Sequence, residues 1–289
     1  MKTSITAGQK KQYERFCEDA LEKALVEVSL DKDGIQKLIE RGDEFQSDII
    51  ASIRKLSVSN QFADEETKSS YGYLSGYKPK GITEQTNRLR ELFPGIGYAD
   101  EKLVEQDLPA NAEGWFAIPK WEKIAPTYGE AVQKVLDLLK KTRDGKFYNY
   151  REDKLGPKHL RQLQKSIKDW EKLGDEQKDH DVLVVPAQFG FRHRGCSVRR
   201  AREVMNASEF GLGTFAIGIM LLTHPERLQH YDDLYIDCAG DEYSPGADGD
   251  FPRAPIFRFD DGRVGFRARW VSDASLGYGS ASGLVVLPQ

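Results

Sequence analysis

The sequence predicts an α+β fold: a helical N-terminal part packed with a mixed α/β body that ends in an antiparallel β-hairpin. Three observations carry the prediction. Apolar residues recur at three- and four-residue steps through the first 56 positions, as on one face of a helix. Near the other end, two strand-like runs flank Asp260-Asp261-Gly262, and Asp-Gly between such runs signals a hairpin. Between these regions, strands and helices do not alternate as regular βαβ units would. The pattern divides the chain into a helical N-terminal region with a connector, residues 1–81, and an α+β body, residues 82–289.

Tyr13, Phe16, Cys17, Ala20, Leu21, Ala24, Leu25 and Val28 form the stripe of a first helix. A second follows Asp31, carries Ile35, Leu38 and Ile39, and stops at Gly42. A third begins at Asp43, where Gln46 stands at capping-box spacing, with Phe45, Ile49, Ile53 and Leu56 as its stripe. Residues 57–81 read as a connector holding Tyr71, Tyr73 and Tyr77. These rings either serve a functional loop or pack it onto the body. A helix over 83–93 ends at Pro94, and 114–119 reads as a short strand. Thr127 and Glu130 cap a helix carrying Ala131, Val135, Leu138 and Leu139.

A short strand is expected over 147–151. Pro157 suits the first turn of a helix whose stripe is Leu160, Leu163, Ile167 and Trp170. Residues 181–186 form a continuous apolar strand closed by Pro186. Helices are expected over 197–206 and, apolar all round and central, over 210–222. Thr223, Pro225 and Glu226 open another. Residues 234–238 begin an all-β end. In 264–270, Val264, Phe266, Ala268 and Trp270 alternate with Gly265, Arg267 and Arg269, so one face is apolar and the other basic. Residues 284–287 add a last strand.

The chain has 289 residues, 39% of them hydrophobic, which suffices for one large core or two ordinary ones. A net charge of −4 argues against a polybasic nucleic-acid coat but permits a local basic site. Cys17, Cys196 and Cys238 are odd in number and lack C-x-x-C spacing. They read as reduced thiols rather than disulfides or a structural zinc site. No apolar signal core opens the chain, and the longest apolar run, 215–222, is far below the ~20 residues of a membrane span. The expectation is a cytoplasmic protein with no membrane partner.

The sharpest chemical feature is residues 191–202, with five arginines and no acid at a strand–loop–helix junction. Arg192, His193, Arg194, Ser197, Arg199 and Arg202 are the candidate phosphate or nucleic-acid site. Free amides at a helix start and bidentate guanidinium groups both favour phosphate. The alternative is a basic helix face salt-bridged to the acidic C-terminal region. Residues 140–172 add eleven Lys or Arg against five acids, with Phe147, Tyr148 and Tyr150 beside Lys146 and Arg151. Aromatic rings beside cations suit single-stranded nucleic acid. Cys196 and Arg202 stand at the C-x5-R spacing of cysteine phosphatases, without the histidine before the cysteine or the intervening glycines. Residues 232–261 hold nine acids against two arginines. Asp237, Asp241, Glu242, Asp248 and Asp250 are candidate ligands for a divalent metal, magnesium or calcium, without the EF-hand pattern. Glu226 and His230, four apart, are a further pair.

Residues 184–195, 221–228, 237–243 and 111–119 resemble segments of a group of uncharacterised bacterial proteins. The resemblance implies a bacterial protein whose likeness covers most of the chain after about residue 30, and it transfers no site residue. The leading expectation is therefore a phosphate- or nucleic-acid-binding protein acting through residues 192–202. The second is a phosphoester hydrolase using Cys196 or a carboxylate-bound metal. The third is a structural or interaction module whose acidic and basic faces pair.

Overall fold

A computed structural model describes residues 6–29, 31–56 and 60–285. Its fold is α+β. The chain forms two compact units, Met1–Ser57 and Val58–Gln289.

The first unit holds α1 (Ala7–Val28), α2 (Lys32–Glu40) and α3 (Gly42–Leu56). Thr6 caps α1 in a capping box with Gln9, and Asp31 caps α2 by accepting from the Gly34 amide at 2.8 Å. Gly42, expected to end the second helix, begins the third; the break falls at Arg41.

In the second unit, residues 60–81 bond into the body rather than extending the helical region. The Thr67 amide donates to the Gly195 carbonyl at 2.9 Å, and the Leu234 amide to Gly72 at 2.9 Å. The compact units therefore divide at residue 57, ahead of the connector, and not at residue 81. Tyr73 and Tyr77 pack inward: the Arg227 guanidinium lies 3.7 Å from the Tyr73 ring centroid, and Tyr77 meets Phe189 edge-on.

Two sheets build the body. The smaller has the order β1 (Gly114–Pro119), β4 (Val182–Gln188), β11 (Ser282–Leu284), β5 (Glu209–Gly211), all antiparallel. Every residue of β4 is buried, as a continuous apolar run requires. Pro186 lies inside this strand, opposite Trp115, rather than closing it. The larger sheet contains β2 (Phe147–Asn149), β3 (Leu160–Gln162), β6 (Tyr235–Asp237), β7 (Asp241–Tyr243), β8 (Arg253–Asp260), β9 (Arg263–Trp270) and β10 (Tyr278–Ser280). Only Ala281 separates β10 from β11, so one short stretch passes from the larger sheet into the smaller.

Helices cover the sheets. α4 (Ile82–Leu92) lies against β1. α5 (Tyr128–Thr142), capped by Thr127, buries Ala131, Val132, Val135, Leu136 and Leu139. α8 (Thr214–Thr223) is buried at all ten positions and lies against α5 and β1. α6 (Gln164–Glu176) lies against β4 and β5, and α7 (Val198–Val204) follows the arginine-rich turn.

Three expectations are corrected. Leu160 begins a strand, not a helix, because β3 pairs with β7 and the Leu163 amide donates to Gly240 at 2.7 Å before α6 starts. Residues 209–211 pair with β11, so the central helix starts later, at Thr214. Pro225–Arg227 makes only a short 3-10 turn, since Asp233 takes the Gln229 and His230 amides at 2.8 Å. The expected strand over 284–287 lies partly outside the described residues; its start joins β11.

Candidate nucleic-acid interface

The β8–β9 hairpin turns through Asp261 at φ 50° and Gly262 at φ 71°, two left-handed residues that make the two-residue turn Asp-Gly favours. Directly opposed residues of an antiparallel pair share a face. Phe257 opposite Phe266 and Phe259 opposite Val264 therefore point into the core, with Phe257, Phe266 and Val264 fully buried. Arg258 opposite Gly265, and Asp260 opposite Arg263, share the other face with Arg267.

Strands on both flanks continue that second face. Tyr148 of β2 lies beside Gly265, and the Tyr150 amide extends the pairing to the Phe266 carbonyl at 3.0 Å. On the other flank Tyr235 of β6 lies beside Tyr278 of β10, their rings 5.1 Å apart and edge-on.

The side chains interleave. Arg263 sits 4.9 Å from the Tyr148 ring centroid and donates to the Tyr150 hydroxyl at 3.3 Å. Arg267 lies 3.7 Å over the Tyr150 ring and donates to Asp260 at 2.9 Å. Arg258 also bonds Asp260. A Cβ at position 265 would come within 3.3 Å of both Tyr150 and Asp260, so glycine there lets them meet over the strand. The Nε atoms of Arg258, Arg263 and Arg267 are buried without a hydrogen-bond partner, so each guanidinium can meet a ligand only through its terminal nitrogens. Lys146, whose carbonyl accepts from the Val264 amide at 3.1 Å, adds a cation at this edge. Of these cations, Arg258 and Arg267 pair with Asp260 and Arg263 lies opposite it in the hairpin.

One end of the face is covered. Val198, Ala201 and Met205 pack on Ala239 and Ala254, so α7 and the residue after it rest there. At that end Arg269 pairs with buried Asp237 at 3.3 Å and lies 3.9 Å over Tyr278. At the other end Tyr148 is 44% exposed, while Tyr150, Arg263 and Arg267 are half-buried.

The arginine-rich segment has a different role from the one its composition suggests. Arg199 is bidentate to Glu65 and lies 4.3 Å over Phe62. Arg200 bonds Glu66 and, at 2.9 Å, Glu203. Arg192 bonds buried Glu209 at 3.2 Å, and Arg194 donates to the Tyr71 carbonyl at 3.1 Å. Arg202 donates to the carbonyls of Ala239 at 2.9 Å and Asp241 at 2.7 Å. Ser197 does cap α7, accepting from the Arg200 amide at 3.1 Å, but its hydroxyl donates to Glu65 at 2.6 Å. The Glu65 carboxylate thus takes up both the Ser197 hydroxyl and the Arg199 guanidinium. The acids concerned come from residues 65–66, 203 and 209, not from 232–261.

His193 is buried and lies 2.7 Å from Glu209, engaged away from Cys196 and Ser197. Burial pushes the Cys196 thiol up to about 11, with Glu66 adding to the effect, which opposes nucleophilic use.

The proposed metal ligands do not converge. Asp241 accepts from the Thr214 amide at 2.6 Å and the Tyr128 hydroxyl at 2.9 Å, while Glu242 pairs with Arg161 at 2.8 Å. Asp248 accepts from the Ser244 hydroxyl at 3.1 Å and the Asp250 amide at 3.2 Å in an exposed loop. Asp237 pairs with Arg269. Glu226 lies 3.8 Å from Lys80. Among the described residues, no group of three or more His, Cys, Asp or Glu could hold a metal ion.

Sequence reasoning missed a cavity of about 600 Å³ lined by Ile118, Trp121, Tyr128, Trp170 and Phe215. These residues come from four separate stretches, and no local motif marks them. Asp241 beside it is already held by Tyr128 and Thr214.

No helix among the described residues is long and apolar enough to cross a membrane. Comparison with protein-family models, with curated proteins and with solved structures finds no match to this chain.

Proposed function

We propose that this protein binds single-stranded nucleic acid on the open face of its larger sheet. Tyr148 and Tyr150 stack on bases, and Lys146, Arg258, Arg263 and Arg267 neutralise phosphates. The observation that carries this reading is the ribbon of alternating guanidinium groups and tyrosine rings across β2, β9 and β8. Base stacking on aromatic rings tolerates any sequence, because every base has a π-face. A sheet of this width accommodates about two or three stacked bases.

Fluorescence anisotropy with labelled single-stranded DNA and RNA tests it. Binding should weaken with salt, with a logarithmic slope of about −3 if each of the four cations neutralises one phosphate. Arg263→Glu with Arg267→Glu should abolish most of it. Tyr148→Ala should cost about 1–3 kcal/mol. Arg199→Glu should leave the affinity unchanged in protein that remains folded, since that arginine is spent on Glu65. No binding at low salt, or equal binding by the double variant, refutes the proposal. The hydrolase reading lacks comparable support, because burial and Glu66 push the Cys196 thiol up and no group of carboxylates among the described residues could hold a metal ion.

A further inference from the structure

We infer that the nucleic-acid strand crosses the larger sheet at right angles to its β-strands, from Tyr148 on β2 to Tyr235 on β6. Tyr235 is then a further base-stacking residue, and Arg258 holds the phosphate between the two platforms. The inference rests on the nucleic-acid reading and adds to it a second platform, a path and a length.

The register carries it. Tyr148 lies beside Gly265, and Gly265 lies opposite Arg258. Ile236 pairs with Phe257 in an antiparallel ladder, so Tyr235 stands next to Arg258. Tyr278 lies beside Tyr235. Five neighbouring strands thus set Tyr148, Gly265, Arg258, Tyr235 and Tyr278 in one line on one face. Gly265 adds no side chain to the line, and the Tyr150 ring stands over it, 3.3 Å from where a Cβ would be. The Tyr150 and Tyr148 ring centroids are 4.5 Å apart. Arg258 therefore lies between two aromatic pairs.

The second pair is pre-set for a base. The Tyr235 ring stands edge-on to Tyr278, and its hydroxyl donates to the Tyr231 carbonyl at 3.1 Å. A ring held in place loses little freedom when a base stacks on it. Burial lifts the Tyr235 hydroxyl to about 12, so the ring brings no negative charge against phosphate at neutral pH. Tyr278 supports rather than stacks, because Arg269 lies 3.9 Å over its ring. Three strand spacings of ~4.8 Å separate Tyr148 from Tyr235, about 14 Å in all. That equals about four steps of a stacked strand at ~3.4 Å each, and fewer when the strand is drawn out over separate rings.

The test uses the full chain and labelled oligothymidylates of two, three, five and eight nucleotides. Affinity by anisotropy should rise steeply up to five nucleotides and only slightly beyond. Tyr235→Ala should weaken the five-nucleotide strand about tenfold or more and flatten the gain from three to five, while Tyr235→Phe keeps both. Circular dichroism checks that each variant is folded. In the unaltered protein, a five-nucleotide strand carrying 5-iodouracil at one end should crosslink to Tyr148 or Tyr150, and at the other end to Tyr235. Crosslinks from both ends confined to Tyr148 and Tyr150, or undiminished five-nucleotide affinity in folded Tyr235→Ala, overturn the path and leave the nucleic-acid reading in place. Wild-type protein that binds none of the lengths at low salt refutes that reading itself, and the path falls with it.

Discussion

Glu209 is fully buried and ionised. Burial by itself pushes its carboxyl up. The His193 ring at 2.7 Å, the Ser282 hydroxyl at 2.7 Å and the Arg192 guanidinium at 3.2 Å outweigh burial and hold it down to about 2. Glu209→Gln leaves that group of donors without its charge. It should cost about 3–5 kcal/mol in urea unfolding at pH 7. Asp241 behaves oppositely. Burial lifts it from the ordinary 3.8 to about 6, against the Thr214 amide and the Tyr128 hydroxyl. The folded state therefore binds the extra proton first, and stability from this group rises as pH falls from 7 towards 4. Between pH 7 and pH 5 the gain is about 1 kcal/mol, and Asp241→Asn should lose that share. Unfolding midpoints of both proteins at the two pH values check it. Neither behaviour was legible in the sequence, where Glu209 is one acid among many and Asp241 one of nine in its region. The partners that set their charge lie far away along the chain, Ser282 for Glu209 and Tyr128 for Asp241.

The elements that local chemistry specifies were legible. The Asp261-Gly262 turn, the Thr127 cap of α5, the Ser197 cap of α7 and the buried β4 all follow from residues within a few positions of one another. The failures are tertiary. Leu160 fits a helix stripe, yet the β7 edge captures it as strand. Five arginines look like an anion site, yet Glu65, Glu66 and Glu209 reach three of them across the fold, and Arg194 and Arg202 are held by backbone carbonyls. The β9 alternation did disclose a basic face, and Tyr148 and Tyr150 disclosed aromatic partners. Only the pairing of β2 with β9 puts them together. Where β4 ends, Gly190 takes φ 114°, and a Cβ there would stand 2.5 Å from the Gly279 carbonyl oxygen. Gly190→Ala should therefore cost about 2 kcal/mol or more, read as a fall in the melting temperature.

For the whole molecule, the net charge of −4 conceals local balances that each follow their own geometry. The arginines of the turn are engaged inside the chain, three by carboxylates and two by carbonyls. The sheet face sets three arginines, Arg258, Arg263 and Arg267, against the one buried carboxylate of Asp260, and it is there that the nucleic-acid reading stands or falls. The cavity beside Trp121 and Trp170 shows that apolar residues from distant stretches can enclose space without announcing it in the sequence.

The passage of one stretch from β10 into β11 also sets a clock. β11 lies between β4 and β5, so one edge of β4 lacks its partner until residues 282–284 exist. At synthesis rates of about 5–20 residues per second, β4 waits roughly 5–20 s with a bare apolar edge. Bare strand edges recruit other chains. The segment that closes this edge is the same one that ties the two sheets together, so a single late stretch completes both.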